Sequence, residues 1–99
     1  ENSWYVVISP EESEALTTWT EFSKVIQNTQ NITGTTGWYV PGYYEMQFYK
    51  KYLKEEESYW TNTEVNSSSS YTLNTSKDTP VTSNKSNPYL VRTFKKVNF

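Results

Sequence analysis

GWYVPGYYEMQFYKKYL, from Gly37 to Leu53, changes character at its proline. Trp38, Tyr39 and Val40 are aromatic or β-branched, and the residue before a proline avoids the α region. Residues 38–41 therefore read as a short extended segment. Gly42 stands at an N-cap position, with Glu45 three residues on, where a capping-box acid would sit. Met46, Tyr49 and Leu53 recur on one face, and Lys50, Lys51 and Lys54 on the other. The pattern predicts a helix from Tyr43 to about Glu55. It should fray at its end, where Glu55, Glu56 and Glu57 oppose the dipole.

On the N-terminal side, Trp4-Tyr5-Val6-Val7-Ile8 is a strand signal closed by Ser9-Pro10. EESEALTT, from Glu11 to Thr18, reads as a turn or a loose helical turn. Phe22, Val25 and Ile26 then share a face, with Trp19 just before them. Thr20 is placed to cap this helix and Glu21 suits its positive end, so a helix is expected from about Thr18 to Thr29. NTQNITGTTG should break it. On the C-terminal side, Tyr59–Thr63 and Tyr71–Leu73 have strand propensity, and the four serines between them suit a turn. NTSKDTPVTSNKSNP, from Asn74 to Pro88, reads as one long, mobile polar loop. Leu90–Val97 is a final strand. Pairing the first strand with the last would bring the chain ends together, as in a module inserted into or appended to a larger protein.

The 99 residues suffice for one domain, taken as 1–99. Only 34% of them are hydrophobic, but 17% are aromatic. Each buried ring removes about 150–250 Å² from water, so the aromatics can supply the core that aliphatic residues do not. Cysteine and histidine are both absent. That excludes disulfides, thiolate nucleophiles and every Ser-His or Cys-His arrangement. The charge of −2 comes from nine basic and eleven acidic residues in small clusters, which gives no basic face for duplex nucleic acid. No apolar run is long enough for a transmembrane span, and the chain opens almost directly on a strand, so neither a span nor a signal peptide is expected in these residues. It is expected to be a mature or excised domain.

Three separated motifs carry a family resemblance. GWYVPGYYEM (Gly37–Met46) resembles the G-W-x-L-P-[ST]-x-x-E-L element of bacterial surface domains of the Fibrobacter succinogenes major paralogous type. YWTNTE (Tyr59–Glu64) resembles that family's Y-W-S-S-T-E element, and YLVRTFKK (Tyr89–Lys96) its closing Y-x-V-R strand. WYVVIS and a helix ending before Gly34 also fall where the family places them. Gly42 and Asn62 depart from its usual small hydroxyl residues. The resemblance implies a C-type lectin-like α+β fold. Two helices would accompany a terminal antiparallel sheet that pairs the N- and C-terminal strands, and a second sheet would bear the loops. It also implies a bacterial cell-surface or extracellular setting. Trp4, Trp38, Tyr59 and Trp60 would be structural core, with Trp19 packing on a helix. Asn62, Glu64, Asn66 and Tyr71 would face outward as ligand-binding residues.

For each of those four, solvated surface is the competing reading. Calcium is not expected: Asp78 is the single aspartate, the acid-Pro-Asn pattern is missing, and SNP (Ser86–Pro88) only echoes it. The runs Glu11, Glu12, Glu14 and Glu55–Glu57 read as solvated acids rather than a glycosidase pair. FYKKYLKEEE places lysines among aromatics as a single-strand nucleic-acid platform would. At helical spacing, however, the rings fall toward the core and the lysines toward water. The expectation is a non-catalytic adhesion or recognition domain with no cofactor or metal, binding a glycan or protein. The partners exclude nucleic acid and membrane insertion. The competing class is a tip, spacer or other assembly module.

Overall fold

The computed structural model describes residues 4–98, with Trp4 described in its backbone alone. The core role expected of the Trp4 side chain thus lies outside the described residues. The order is β1 (Trp4–Ile8), a 3-10 turn (Glu11–Ser13), β2 (Ala15–Thr17), a second 3-10 turn (Trp19–Glu21) and α1 (Phe22–Thr33). Then come α2 (Tyr43–Phe48), a third 3-10 turn (Lys50–Tyr52), β3 (Ser58–Glu64), β4 (Ser69–Asn74), β5 (Val81–Asn84), β6 (Tyr89–Val91) and β7 (Phe94–Asn98). Two helices and two sheets make an α+β domain.

β1 and β7 pair antiparallel from Trp4↔Asn98 to Ile8↔Phe94, so the two ends of the chain form one small sheet. The other sheet has the order β2-β6-β3-β4-β5, antiparallel except where β3 meets β6 at Tyr59↔Leu90. The C-terminal run is therefore two strands rather than one. Between them Arg92 Nε donates to the Ser9 carbonyl at 2.7 Å, Ser9 N–H donates to the Thr93 carbonyl at 2.9 Å, and the Thr93 and Thr29 hydroxyls meet at 3.0 Å. This buried junction turns the chain from one sheet to the other. It explains why 90–96 has no single apolar face.

EESEALTT holds the expected loose turn at Glu11–Ser13 and, after it, a strand that was not expected. β2 has only three residues and Leu16 is exposed, so side-chain patterning says little there. Its place comes from backbone pairing with β6, Ala15↔Val91 to Thr17↔Tyr89. The polar 74–88 segment likewise contains β5, which pairs with β4 from Ser69↔Asn84 to Thr72↔Val81. A buried Thr72–Ser83 hydroxyl contact of 2.9 Å holds it. The rest of that segment is pinned too. Lys50 Nζ reaches Asp78 at 2.6 Å, and Gln47 Nε2 donates to the Asp78 carbonyl at 3.1 Å. The hydrogen bond from Lys50 and its charge hold the Asp78 carboxyl below its ordinary range. Ser69 and Ser70 belong to β4 rather than to the turn.

α1 starts later and ends later than its sequence suggests. Thr20 does not cap it: Glu21 is the N-cap and makes no side-chain cap bond. The helix runs on through Thr33, and the hydroxyls of its threonines turn back onto it rather than breaking it. Thr29 Oγ1 donates to the Val25 carbonyl at 2.8 Å and Thr33 Oγ1 to the Thr29 carbonyl at 2.8 Å. Gly34 ends it at φ 71°, a left-handed geometry that suits glycine.

α2 is six residues, not thirteen. Beyond Phe48 the bonds tighten to Tyr49 N–H→Met46 carbonyl and Tyr52 N–H→Tyr49 carbonyl, both 3.0 Å. The tightening still delivers Leu53 to the core, while Tyr49 packs on Phe94 at 5.9 Å between ring centroids. Glu45 does not close a capping box either. It accepts from the Tyr39 hydroxyl, and the Tyr43 N–H donates instead to Thr63 Oγ1 on β3, at 2.8 Å. A Cβ at Gly42 would lie 3.1 Å from that hydroxyl, so the small residue admits a cap from the neighbouring strand.

The core gathers Val25, Val40, Tyr43, Met46, Leu53, Tyr59, Trp60, Leu73, Val91 and Phe94. Trp38 is buried too, but outside this cluster, with Lys95 over its ring. Each described indole N–H has a partner: Trp60 to the Thr17 carbonyl (2.9 Å), Trp19 to the Thr61 carbonyl (3.0 Å), and Trp38 to Thr35 Oγ1 (3.0 Å). These bonds let the polar end of a large ring be buried without cost.

Candidate recognition surfaces

β3 changes from core to surface within two residues. Tyr59, Trp60 and Thr61 are buried and Asn62 is exposed. The register slips between Trp60, opposite Thr72, and Glu64, opposite Ser70. At this irregularity the Asn62 N–H donates to the Pro41 carbonyl at 2.8 Å, and Thr61 Oγ1 to the Tyr71 carbonyl at 2.8 Å. Asn62 thus projects from a backbone tied to both the 38–41 segment and β4.

The tip beyond it is fixed by Lys85. Its ammonium pairs with Glu64, lies 4.2 Å from the centre of the Trp19 ring and donates to the Ser67 carbonyl at 3.3 Å. Its backbone N–H donates to the Ser68 carbonyl at 2.9 Å, and its carbonyl accepts from Trp19 N–H at 3.1 Å. A buried lysine requires this much compensation, and the cation over an indole face supplies part of it. Asn66 closes the turn, its Oδ1 accepting from Ser68 N–H at 2.9 Å and Ser68 Oγ at 3.1 Å. Of the four residues expected to bind ligand, Asn62, Glu64 and Asn66 are exposed. Tyr71 is half-buried, its ring 6.0 Å from that of Tyr43 at the margin of the core. The contributions of Lys85 and Trp19 were not legible in the sequence, because neither lies near Glu64 in the chain.

Glu14 corrects the reading of its cluster as solvated acid: its side chain is 2% exposed. Tyr59 OH donates to its Oε1 at 2.7 Å, Arg92 Nη1 lies 3.2 Å from the same oxygen, and Lys54 Nζ is 3.0 Å from Oε2. The carboxylate joins the chain before β2 to the core of β3 and to the junction between β6 and β7. Its hydrogen bond and charge raise the Lys54 ammonium above its usual value. The Tyr59 phenol is raised by burial first and by the bond to Glu14 second. Tyr39 and Tyr43 are raised as well, each chiefly by burial.

Those phenols predict an alkaline limit. Below the ordinary phenol value of about 10, folded and unfolded chains hold the same protons and the three rings make no pH-dependent contribution. Above it the unfolded chain loses protons that the native chain keeps, so stability falls as pH rises. In an alkaline titration these rings should gain phenolate absorbance only in step with unfolding. Ionisation of all nine tyrosines near pH ~10 in a chain with intact circular dichroism would contradict this assignment.

A second surface lies on α2 and the turn after it. The expectation that the rings of 48–52 fall toward the core holds for Tyr49 but not for its neighbours. Tyr44 is 73% exposed, Phe48 77% and Tyr52 61%. They follow one another at four-residue intervals and form an aromatic ledge. Two open grooves, of about 310 and 430 Å³, adjoin it and share Tyr49 and Tyr52. Val6, Ile8 and Arg92 complete the larger one.

Among the described residues, no group of three or more His, Cys, Asp or Glu is placed to hold a metal ion. No helix among them is long and apolar enough to cross a membrane. In comparison with known proteins, no family model matches the chain and no curated protein sequence matches it.

Proposed function

We propose that the chain is a non-catalytic recognition domain of a bacterial cell-surface or secreted protein, with a C-type lectin-like fold. On this reading it binds a glycan or protein ligand, without a metal, through the end of the five-stranded sheet around Asn62 and Glu64. The observation that carries the reading is the pinning of this end. The bonds from Lys85 to Glu64, Trp19 and the Ser67 and Ser68 carbonyls hold a polar tip in one conformation above the buried Tyr59 and Trp60. A preorganised polar tip loses little entropy when it engages a ligand. Asn66 serves as turn-former and Tyr71 as support, leaving Asn62 and Glu64 as the contact groups. The paired chain ends and the second, loop-bearing sheet support the lectin-like assignment, as do the motifs around Trp38, Trp60 and Arg92.

A combined glycan and protein array tests the reading. Binding should survive a chelator and change little with salt, and Asn62→Ala or Glu64→Ala should abolish it. Binding retained by both variants would remove this face from the proposal.

The aromatic ledge favours a second reading, an assembly module whose interface is with its parent protein or a second copy. Exposed rings of this size are costly to leave in water. Sedimentation velocity over a concentration series should then show self-association that Phe48→Ser weakens. A concentration-independent monomer leaves recognition ahead.

A further inference from the structure

We propose that Asn66 and Asn84 are acceptor sites for an N-linked oligosaccharide. The chain contains the acceptor pattern Asn-x-Ser/Thr four times, at Asn31-Ile32-Thr33, Asn66-Ser67-Ser68, Asn74-Thr75-Ser76 and Asn84-Lys85-Ser86. The structure sorts them. Asn31 lies in α1, where its Oδ1 accepts from Gln27 Nε2 at 3.3 Å and the Thr33 hydroxyl donates to the Thr29 carbonyl. A helical segment with its recognition hydroxyl turned back onto the helix cannot thread a transferase site. Asn74 has a turn geometry, but it is half-buried and its Nδ2, the nucleophilic atom, donates to Ser58 Oγ at 3.2 Å.

Asn66 and Asn84 are exposed, and each accepts through Oδ1 from the N–H and hydroxyl of the serine two residues on. Asn84 ends β5 and its neighbour Lys85 is buried, so Asn66, in the turn between β3 and β4, is the more open of the two. For Asn84 those distances are 2.9 Å to Ser86 N–H and 2.6 Å to Ser86 Oγ. The bond from Lys85 N–H to the Ser68 carbonyl sets the two turns side by side, at one edge of the sheet. Glu64 stands two residues before Asn66. Thr82 holds that place before Asn84.

The donor would be a lipid-diphosphate-linked oligosaccharide. Asn Nδ2 forms a bond to the anomeric carbon while the bond from that carbon to the diphosphate oxygen breaks. The electron pair leaves on the lipid diphosphate, and one Nδ2 proton passes to a base of the transferase. No oxidation or reduction is involved.

This inference goes beyond the recognition reading and competes with it for one surface, since a glycan at Asn66 would crowd the Asn62–Glu64 tip; ligand arrays and glycan mapping test the two separately. The test is glycopeptide mapping and intact mass of the protein purified from cells that make it. Glycan adducts should be found at Asn66 and Asn84, with Asn31 bare. Ser68→Ala and Ser86→Ala should each abolish the adduct at its own site, while Ser68→Thr and Ser86→Thr should keep it. Glycan at Asn66 alone would support that site and overturn the assignment of Asn84. Bare peptides at both positions, or equal occupancy at Asn31, would overturn the proposal.

Discussion

Trp60→Ala is expected to lower the stability of the domain by about 3–5 kcal/mol, the usual cost of emptying a large aromatic site in a core. Trp60 is fully buried, its ring meets Tyr89 at 5.1 Å and 82°, and its indole N–H satisfies the Thr17 carbonyl of β2. The side chain thus holds three strands of the sheet together. A domain of this size is stable by about 5–15 kcal/mol, so the loss takes a large share and lowers the melting temperature by roughly 15–30 °C. Urea unfolding followed by circular dichroism measures it. Trp60→Phe separates the two contributions. It keeps much of the ring but strands the Thr17 carbonyl, and should cost about 1–3 kcal/mol. A loss below about 1 kcal/mol for Trp60→Ala would mean that the site collapses freely and does not organise the sheet.

Glu14→Ala should cost about 3 kcal/mol, the low end for removing one partner of a buried ion pair, because Arg92 keeps its bond to the Ser9 carbonyl. The loss arises less from the missing attraction than from the charge left behind: the Arg92 side chain is only 11% exposed. The diagnostic variant is the pair Glu14→Met with Arg92→Met. Replacing both charges by apolar groups of similar length removes the desolvation penalty as well as the attraction. The double variant should therefore be more stable than Glu14→Ala alone. Chemical denaturation of the wild type, Glu14→Met, Arg92→Met and the double variant completes the cycle. Additive losses would show that Glu14 and Arg92 are not coupled.

Both predictions rest on contacts that join distant parts of the chain, and this is where reading by sequence reached its limit. The strand at Trp4–Ile8, a helix around Phe22, Val25 and Ile26 (though not its bounds) and the helix start at Tyr43 were legible because each writes its period or its boundary residue locally. β2 was not, because three residues of Ala, Leu and Thr with Leu16 exposed carry no period. β5 was hidden for a related reason: Val81-Thr82-Ser83-Asn84 sits among turn formers, and only its partner β4 makes it a strand. The second helix was read too long because Met46, Tyr49 and Leu53 fit an α period that the chain satisfies with a 3-10 turn instead.

The candidate recognition tip shows the same division. Polar residues after a buried aromatic pair at Tyr59-Trp60 were visible in the sequence, and so was the turn. That Glu64 is neutralised by Lys85, and that Lys85 rests on Trp19, depends on residues about 20 and 45 positions away in the chain meeting in space, a geometry set by long-range packing.

The sequence by itself determined the elements with strong local signals and the aromatic source of the core, since period, propensity and composition act within a few residues. Tertiary structure alone decided which acids are buried, which aromatics face water and where the last strand divides. Each of those outcomes depends on what a residue meets across the fold, and burial and pairing are properties of the folded neighbourhood rather than of the residue.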